Sequence, residues 1–303
     1  MGELNKQSTY TWTPESDKMI RISKSTLDTF SNWCGQQLWL DKHIQLPQEE
    51  HDYLVIGDNV HNRQEEYYDI CADNIDLIEE AIQHAKDGKD KRAYGILKSL
   101  YPKAEGLYEE REEGIQDWMI KHDLLRLAHC DSAHDFLPVA NEIDLDAIVE
   151  LDIPDHGPVT VHLRGIIDRV FRSDDGIALM ELKTGKYNKR YTPPKMKGEM
   201  AYYAYILQES ETDLGPVTHW GWRFPAADAW DYEPAKKASI TAAKKRIIRL
   251  IKAYLEQDFP VVKDGARHKC AYCDYMPYCP LYTVYENPIE VANGAEPIFK
   301  EDM

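Results

Sequence analysis

Two acidic residues and a lysine lie where the sequence otherwise predicts a hairpin of buried β-strands. Asp168 precedes a predicted turn at residues 173–176, and Glu181 and Lys183 follow it. Successive side chains of a strand point to opposite faces, so Glu181 and Lys183 share a face that Asp168 can reach from the partner strand. An unpaired charge in an apolar core costs several kcal/mol, so these side chains indicate a chemical role for that face.

A divalent metal ion accounts for two carboxylates that converge beside an ammonium group. Hard cations such as Mg²⁺ take oxygen ligands and keep water positions open, and a bound water can become a nucleophile. Lys183 could then orient or deprotonate that water, or balance the charge of a phosphate under attack. The alternative is a surface salt bridge at the end of a hairpin, which would contribute little stability.

The composition describes a chain of 303 residues that can bury a sizeable core, with 43% hydrophobic and 11% aromatic residues. No apolar run approaches the roughly 20 residues that span a bilayer, and the first residues lack an apolar signal segment. Six cysteines are too few for a disulfide scaffold in this chain, and their clustering favours a metal in a reducing compartment. We therefore expect a cytoplasmic protein without membrane association.

The net charge of −17 at first argues against a nucleic-acid ligand, because phosphates are bound mainly by Lys and Arg. The distribution of the charge changes that interpretation. Residues 183–198 contain six basic residues and no acid, and residues 234–255 contain seven and no acid. These segments predict a local polyanion-binding surface, with Lys186, Lys189 and Arg190 among the candidates. Solvated faces without a ligand are the alternative.

The apolar periodicity predicts helices first, and then a mixture of strands and helices. The helices are predicted at residues 23–40, 52–129 with breaks near Gly88 and Pro102, 199–210 and 234–257. The strands are predicted at residues 140–153, 159–172, 176–184 and 217–225. Asp168 and Glu181 therefore fall in the strand-rich part of the chain.

The motif GIIDR, followed by ELKTGK, resembles the core of the PD-(D/E)XK nuclease superfamily and, within it, the RecB-like branch. That branch usually adds a histidine in an upstream helix and a Gln-x-x-x-Tyr helix downstream. Here GDNVHNRQEE contains His61 in the corresponding order, and EMAYY contains Tyr203 with Glu199 in place of the glutamine. The resemblance implies an α/β restriction-endonuclease-like core, with a mixed central sheet flanked by helices and a helical insertion.

The resemblance also implies how the matching residues act. His61, Asp168 and Glu181, with the carbonyl of Leu182, would hold one or two Mg²⁺ or Mn²⁺ ions. Lys183 would assist the attacking water, and the metal would stabilise the departing 3′ oxygen.

The downstream helix carries the one departure from the family pattern. The resemblance implies that this helix positions the catalytic residues and the nucleic-acid strand, with Tyr203 as a catalytic-site residue. Glu199 replaces the usual glutamine and adds negative charge beside the phosphate. It would therefore either recruit metal or weaken binding.

The late motif CAYCDYMPYC contains Cys270, Cys273 and Cys279, and a fourth soft ligand must come from elsewhere. The early segment STLDTFSNWC ends in Cys34 and resembles the N-terminal helix of iron–sulfur RecB-like nucleases, including CRISPR-associated and AddB-type ones. The resemblance implies a [4Fe–4S] cluster on these four cysteines, as a structural staple between the N- and C-terminal regions. Four thiolates also suit a tetrahedral Zn²⁺, which is the alternative.

These observations predict an N-terminal extension at residues 1–21, one RecB-like nuclease domain at 22–281 and a C-terminal tail at 282–303. Within the domain, the helical insertion covers about 72–138, the nuclease core covers about 139–258, and the late cysteines lie at 270–279.

The predicted function is metal-dependent hydrolysis of DNA, as an exonuclease on single-stranded or end-frayed DNA. Recombination or repair, with a helicase partner, and CRISPR spacer acquisition, with an integrase partner, are open as pathways. Two other hypotheses are a non-cleaving DNA-binding module of the same fold, which Glu199 favours, and a zinc-stapled structural protein.

Overall fold

The computed structural model describes residues 3–4, 19–46 and 51–282. The chain divides into two compact units. The first unit combines Met1–Glu49, Asp146–Arg164 and Ile240–Met303, and the second combines Glu50–Leu145 and Gly165–Ser239. Most of the predicted extension at residues 1–21 and of the predicted tail at 282–303 lies outside the described residues.

The α-helices follow one another in chain order as α1 (Lys24–Asp28), α2 (Gly35–His43), α3 (Asp52–Asp73), α4 (Ile75–Lys86), α5 (Asp90–Leu100), α6 (Glu109–Leu127), α7 (Ala133–Phe136), α8 (Thr192–Glu209) and α9 (Lys237–Glu256). A π-helical segment at Thr29–Trp33 joins α1 to α2, and 3₁₀ helices lie at Pro225–Ala227, Asp264–Tyr272 and Met276–Tyr278. Within residues 19–46 and 51–282, no helix combines the length and the apolar character needed to cross a bilayer.

The strands are β1 (Glu3–Leu4), β2 (Ile20–Ser23), β3 (Ile44–Gln45), β4 (Ala140–Ile153), β5 (Gly157–Ser173), β6 (Gly176–Leu182), β7 (Val217–Phe224) and β8 (Ala229–Pro234). In the first unit, β2 pairs in parallel with residues 161–164 of β5. In the second unit, β6 pairs antiparallel with β5 and parallel with β7, and β7 pairs antiparallel with β8. The fold is thus a mixed α/β fold with a central mixed sheet flanked by helices, as the sequence predicts.

Helices α3 to α7 of the second unit pack against its strands through two apolar clusters. The larger cluster joins these helices to Phe171 of β5 and includes the fully buried rings of Tyr67 and Tyr68. The smaller cluster packs α3 and α6 against the end of β6, through the side chains of Ile56, Val60, Ile115, Met119 and Leu182. This packing fixes two helices beside the strand end that carries the ELK motif.

Several predicted element ends need correction. β6 ends at Leu182, so Lys183 lies in the loop that follows the strand. α8 begins at Thr192, earlier than predicted, because a proline in the first turn costs no helical hydrogen bond. The predicted start of the basic helix at Pro234 is wrong, because Pro234 ends β8 and the helix begins at Lys237. The sequence analysis missed β8, because the apolar–polar alternation of AWDYEP covers only the four residues from Trp230 to Glu233.

Candidate active site and cysteine group

Asp168 and Glu181 lie side by side on the antiparallel pair β5 and β6. The register pairs Arg169 with Met180, so Asp168 and Glu181 occupy the next position along the two strands. Both are buried, with 6% and 2% of their surface exposed. Asp168 Oδ2 accepts a hydrogen bond of 2.6 Å from the backbone N–H of Leu182. The structure thus brings together the two predicted acids and holds one of them by the backbone of the facing strand.

His61 reaches the same place from α3. Its Nδ1 lies 3.6 Å from Asp168 Oδ1 and 3.6 Å from Glu142 Oε1. One ligand atom from each of the three residues lies within 4.8 Å of the other two. Burial alone would lower the pKa of His61, but the carboxylates of Glu142 and Asp168 outweigh it and raise that pKa above its usual value. The three side chains form a group that could hold a metal ion.

Sequence analysis did not identify Glu142, which lies near the start of β4. Its backbone has a φ of 50°, a left-handed conformation that is uncommon for a residue other than glycine. The guanidinium of Arg169 lies 3.6 Å from its carboxylate, and His61 and Arg169 together lower the pKa of Glu142. The segment ANEIDLDAIVELDI contains several acids at similar spacing, so no local signal separates this one from the others.

Lys183 completes the site from the loop that follows β6. Its backbone N–H donates to the carbonyl of Arg223 at 2.9 Å, which extends the pairing with β7 by one residue. Its Nζ contacts the Glu181 carboxylate and lies 3.8 Å from Glu199 Oε2. Burial would lower the pKa of Lys183, but Glu181, Glu199 and Asp168 raise it above its usual value. The side chain is therefore an ammonium group held among three carboxylates.

Helix α8 contributes Glu199 and Tyr203, which are one turn apart and share a face. Both are buried, with 5% and 2% of their surface exposed. Tyr203 lies against Gly165, where an added Cβ would come within 2.8 Å of the tyrosine ring. Burial raises the pKa of Tyr203, and the nearby Glu181 and Glu199 raise it further. The hydroxyl consequently stays protonated beside the carboxylates.

The predicted nucleic-acid contacts lie in the loop between β6 and α8. Lys186, Lys189 and Arg190 are all exposed. The guanidinium of Arg190 lies 5.4 Å from the ring centre of Tyr191, which is 64% exposed. The loop therefore presents cations and an aromatic ring to solvent directly after the half-buried side chain of Lys183.

A buried polar network lies beside the end of β7. The carboxylate of Asp123, on α6, accepts hydrogen bonds from Tyr68 Oη at 3.0 and 3.2 Å and from Arg223 Nη1 at 3.1 Å. Burial, together with the charge of Asp123, raises the pKa of Tyr68 to about 12. Because the Arg223 carbonyl accepts the N–H of Lys183, this network ties α6 to the strand that positions Lys183.

The four predicted cluster ligands line one cavity in the first unit. Cys34 is the residue before α2, and Cys270, Cys273 and Cys279 lie on or next to the 3₁₀ helices near the end of the described chain. Burial raises the pKa of the Cys273 thiol to about 11, with further contributions from the other three cysteines. In the part of the chain that the structure describes, no three of these sulfurs lie within 4.8 Å of one another.

A close backbone contact holds the early cysteine near the late ones. Gly35 packs on Pro260 so closely that an added Cβ would come within 2.8 Å of its ring. The N–H of Gln36 donates to the carbonyl of Pro260 at 3.1 Å. Glycine is needed at position 35 because any side chain would push Pro260, and with it the late segment, away from Cys34.

The comparison with protein families identifies the class of the protein. The family model of the PD-(D/E)XK nuclease superfamily matches residues 21–280, which is most of the chain. The chain belongs to the PD-(D/E)XK nuclease superfamily. Nucleases of this superfamily use divalent metal ions, and the oxygens and imidazole of Asp168, Glu142 and His61 are donors that such ions accept.

Similar solved structures are remote. A putative exonuclease from Eubacterium rectale is 12% identical with a TM-score of 0.38, and the match covers 88% of this chain and 93% of that one. SSO0001 is 14% identical with a TM-score of 0.34, and the match covers 68% and 83%. Rai1 from Scheffersomyces stipitis is 11% identical with a TM-score of 0.26, and the match covers 81% and 63%. The comparison with curated proteins gives no match.

Proposed function

We propose that the protein is a divalent-metal-dependent deoxyribonuclease of the RecB-like branch that degrades single-stranded DNA from its ends. The observation that carries this proposal is the convergence of buried Asp168 and Glu181 with half-buried Lys183 at the end of β6. Charges withdrawn from water at one strand end are costly for folding alone, and they suit a site that stabilises a phosphate under attack.

His61, Glu142 and Asp168 would hold one divalent ion, and Glu181 with the carbonyl of Leu182 would complete the oxygen ligands. When bound, such an ion lowers the pKa of a coordinated water and stabilises charge on the reacting phosphate. The hydrogen bond from the Leu182 N–H occupies one oxygen of Asp168, which leaves the other, Oδ1, directed to His61.

Lys183 would orient the attacking water and balance the phosphate charge, instead of removing a proton. The reason is its surroundings, because an ammonium group held between Glu181 and Glu199 is a donor with no tendency to lose its proton. Glu199 thus has a function in this chain that a glutamine would not fulfil. It is a second counter-ion for Lys183, and it also lies 3.8 Å from Lys195.

Single-stranded DNA is the proposed substrate because the loop after Lys183 exposes basic side chains and an aromatic ring. The exposed Lys186, Lys189 and Arg190 would contact phosphates, and the exposed Tyr191 beside Arg190 could stack on a base. The preference for ends is taken from the resemblance to RecB-like exonucleases.

We also propose a [4Fe–4S] cluster on Cys34, Cys270, Cys273 and Cys279. These four thiols line one cavity, and their arrangement as one early and three late cysteines favours a cluster over the paired motifs usual for zinc. An absorbance spectrum with iron, sulfide and zinc analysis tests this. A colourless protein with stoichiometric zinc would support the zinc alternative.

The test of the nuclease uses end-labelled single-stranded DNA, linear and circular, with Mg²⁺, Mn²⁺ or EDTA. Wild type is compared with Glu181→Gln, which keeps the shape of the side chain, and with Glu150→Gln, an exposed acid on β4. We expect metal-dependent loss of linear DNA only, retained in Glu150→Gln and reduced at least about 100-fold in Glu181→Gln. If well-folded wild type with a loaded cluster cleaves none of these substrates, the binding-module hypothesis replaces the nuclease.

A further inference from the structure

Arg169 follows Asp168 on β5 and is almost completely buried, with 2% of its surface exposed. Its Nη1 donates a hydrogen bond of 2.7 Å to the main-chain carbonyl of Asp168 and lies 3.6 Å from Glu142 Oε1. The same oxygen of Glu142 lies 3.6 Å from His61 Nδ1. The guanidinium therefore lies against the carboxylate of one proposed metal ligand and the backbone of another.

The burial of Arg169 is costly for the fold. Among the described residues, its Nε and Nη2 have no hydrogen-bond acceptor. The ring of Tyr68 lies 5.7 Å from the guanidinium carbon, near the outer limit of a cation–π contact. Buried donors without acceptors destabilise a protein, and an apolar side chain of similar length would often fill such a place at less cost. Stability alone therefore does not account for an arginine at this position.

Glu142 needs a neighbour that holds it, because its backbone is strained. Its φ of 50° lies in the left-handed region, which a residue other than glycine occupies at a cost. Such a conformation persists where the surrounding structure holds it, and it is most frequent at functional sites. His61 and Arg169 both lie beside the carboxylate of Glu142. Since His61 is itself a proposed metal ligand, the task of holding Glu142 falls to Arg169.

The charge of Arg169 and its contacts would affect a bound metal ion in opposite ways. A guanidinium repels a nearby divalent cation, so removing the charge should by itself strengthen metal binding. A guanidinium that orients a ligand should weaken metal binding when it is removed, because the carboxylate is then no longer held in place. The two effects differ in sign, so a binding measurement distinguishes them.

We propose that Arg169 is a positioning residue of the metal site, which orients the carboxylate of Glu142 toward His61 and thereby sets the affinity for the divalent ion. The inference rests on the proposed function, which assigns the metal to this group of side chains. Arg169 itself contacts neither the ion nor the DNA, since its guanidinium is buried. The buried charge thus serves metal affinity more than it serves the stability of the fold.

The test measures the binding of Mn²⁺ in the absence of DNA, from the electron paramagnetic resonance signal of the free ion. Wild type is compared with Arg169→Met, which removes the charge but keeps an unbranched side chain, and with Arg169→Lys, which keeps the charge. The matched control is Arg172→Met, at an exposed arginine three residues further along β5. Circular dichroism and thermal melting check that each variant folds.

We expect Arg169→Met to raise the Kd for Mn²⁺ at least about tenfold, and Arg172→Met to stay within about twofold of wild type. Arg169→Lys should raise it at least about threefold, because an ammonium group lacks the planar fork of donors that a guanidinium offers. A folded Arg169→Met protein that binds Mn²⁺ as tightly as wild type, or more tightly, would overturn the proposal. If Arg169→Met does not fold, wild-type affinity in Arg169→Lys would overturn it instead.

A double-mutant cycle tests whether Arg169 acts through Glu142. In the Glu142→Gln background, Arg169→Met should change the Kd for Mn²⁺ by less than about twofold, because the carboxylate that Arg169 holds is already gone. The same tenfold loss in that background as in wild type would reject this route.

Cleavage assays with the same proteins separate this inference from the proposed function. Wild type that degrades linear single-stranded DNA, together with an Arg169→Met protein of unchanged Mn²⁺ affinity, would reject the role of Arg169 and leave the nuclease intact. Mn²⁺ binding that Arg169→Met weakens, in a protein that cleaves no substrate, would reject the nuclease and support the role of Arg169. Wild type that neither binds Mn²⁺ nor cleaves DNA would reject both.

Discussion

Two groups of side chains in this protein are candidates for holding metal, and they are built in different ways. His61, Glu142 and Asp168 come from α3, β4 and β5, and the sheet and buried ion pairs surround them. The cysteine group lies on short 3₁₀ helices and at the start of α2, and none of the residues at 264–272 is buried. The first group has an extensive framework of its own, and the second has a smaller one, in which Tyr278 packs with Leu40 and Ile44.

The two groups should therefore differ in how far their structure depends on a bound metal. The carboxylates of Asp168 and Glu142 are positioned by strand pairing, by the Leu182 N–H and by Arg169. None of these contacts requires a metal. The cysteine segment has few buried side chains, so the proposed cluster would contribute a larger share of its stability. Metal at the first group should therefore control activity, and metal at the second should control folding.

The largest effect should come from removing the ammonium group of the active site. We expect Lys183→Gln to lower the cleavage rate about 1,000-fold, because the charge that opposes the phosphate is lost while the side chain can still donate a hydrogen bond. Lys186→Gln, an exposed lysine of the same loop, should lower the rate only severalfold. Equal rates for wild type and Lys183→Gln would remove Lys183 from the mechanism.

The buried ion pair between Asp123 and Arg223 lies next to the active site, and breaking it tests how much this framework contributes to stability. Asp123→Asn should lower the free energy of unfolding by about 3–5 kcal/mol, because it leaves the guanidinium of Arg223 buried without a counter-ion. Asp117→Asn removes a more exposed pair with Lys121 and should cost about 1 kcal/mol or less. Urea denaturation measures both, and similar values for the two variants would contradict the argument.

Removing one thiol should affect the cysteine group and, through it, the stability of the fold. We expect Cys273→Ser to lose the brown colour of the cluster and to melt roughly 10 °C lower, because a cluster ligand is a folding contact. Cys130→Ala changes a buried thiol outside the group and should keep the colour. A Cys273→Ser protein that stays brown, with an unchanged melting temperature, would refute the ligand assignment.

The smallest effect should come from Glu142, a proposed metal ligand that also contacts His61 and Arg169. Glu142→Gln should weaken metal activation about 10–100-fold, and higher metal concentration should restore the cleavage rate. The melting temperature should fall less than that of Cys273→Ser, because Glu142 is half-buried and its carboxylate lies 3.6 Å from the guanidinium of Arg169. Asp152→Asn, an exposed acid further along β4, serves as the matched control in the same Mn²⁺ titration. A loss of rate that no metal concentration reverses would assign Glu142 another role.

Local pattern was enough to predict much of the fold. The alternation of β4, the helical spacing of α3 and the turn between β5 and β6 are properties of short segments, so the sequence shows them directly. The same holds for the pairing of Asp168 with Glu181, because a short hairpin turn sets the register of its two strands.

The amino-acid sequence was enough to predict most of the elements and the chemical types at their ends, including the acids, Lys183 and the four cysteines. Tertiary structure alone decided which distant residues meet. Glu142 joins His61 only because its left-handed backbone and Arg169 direct it there, and Asp123 reaches Arg223 across 100 residues of chain. The physical reason is the distance along the chain over which each effect acts. Propensity and periodicity act over a few residues, whereas these contacts depend on how helices pack on strands.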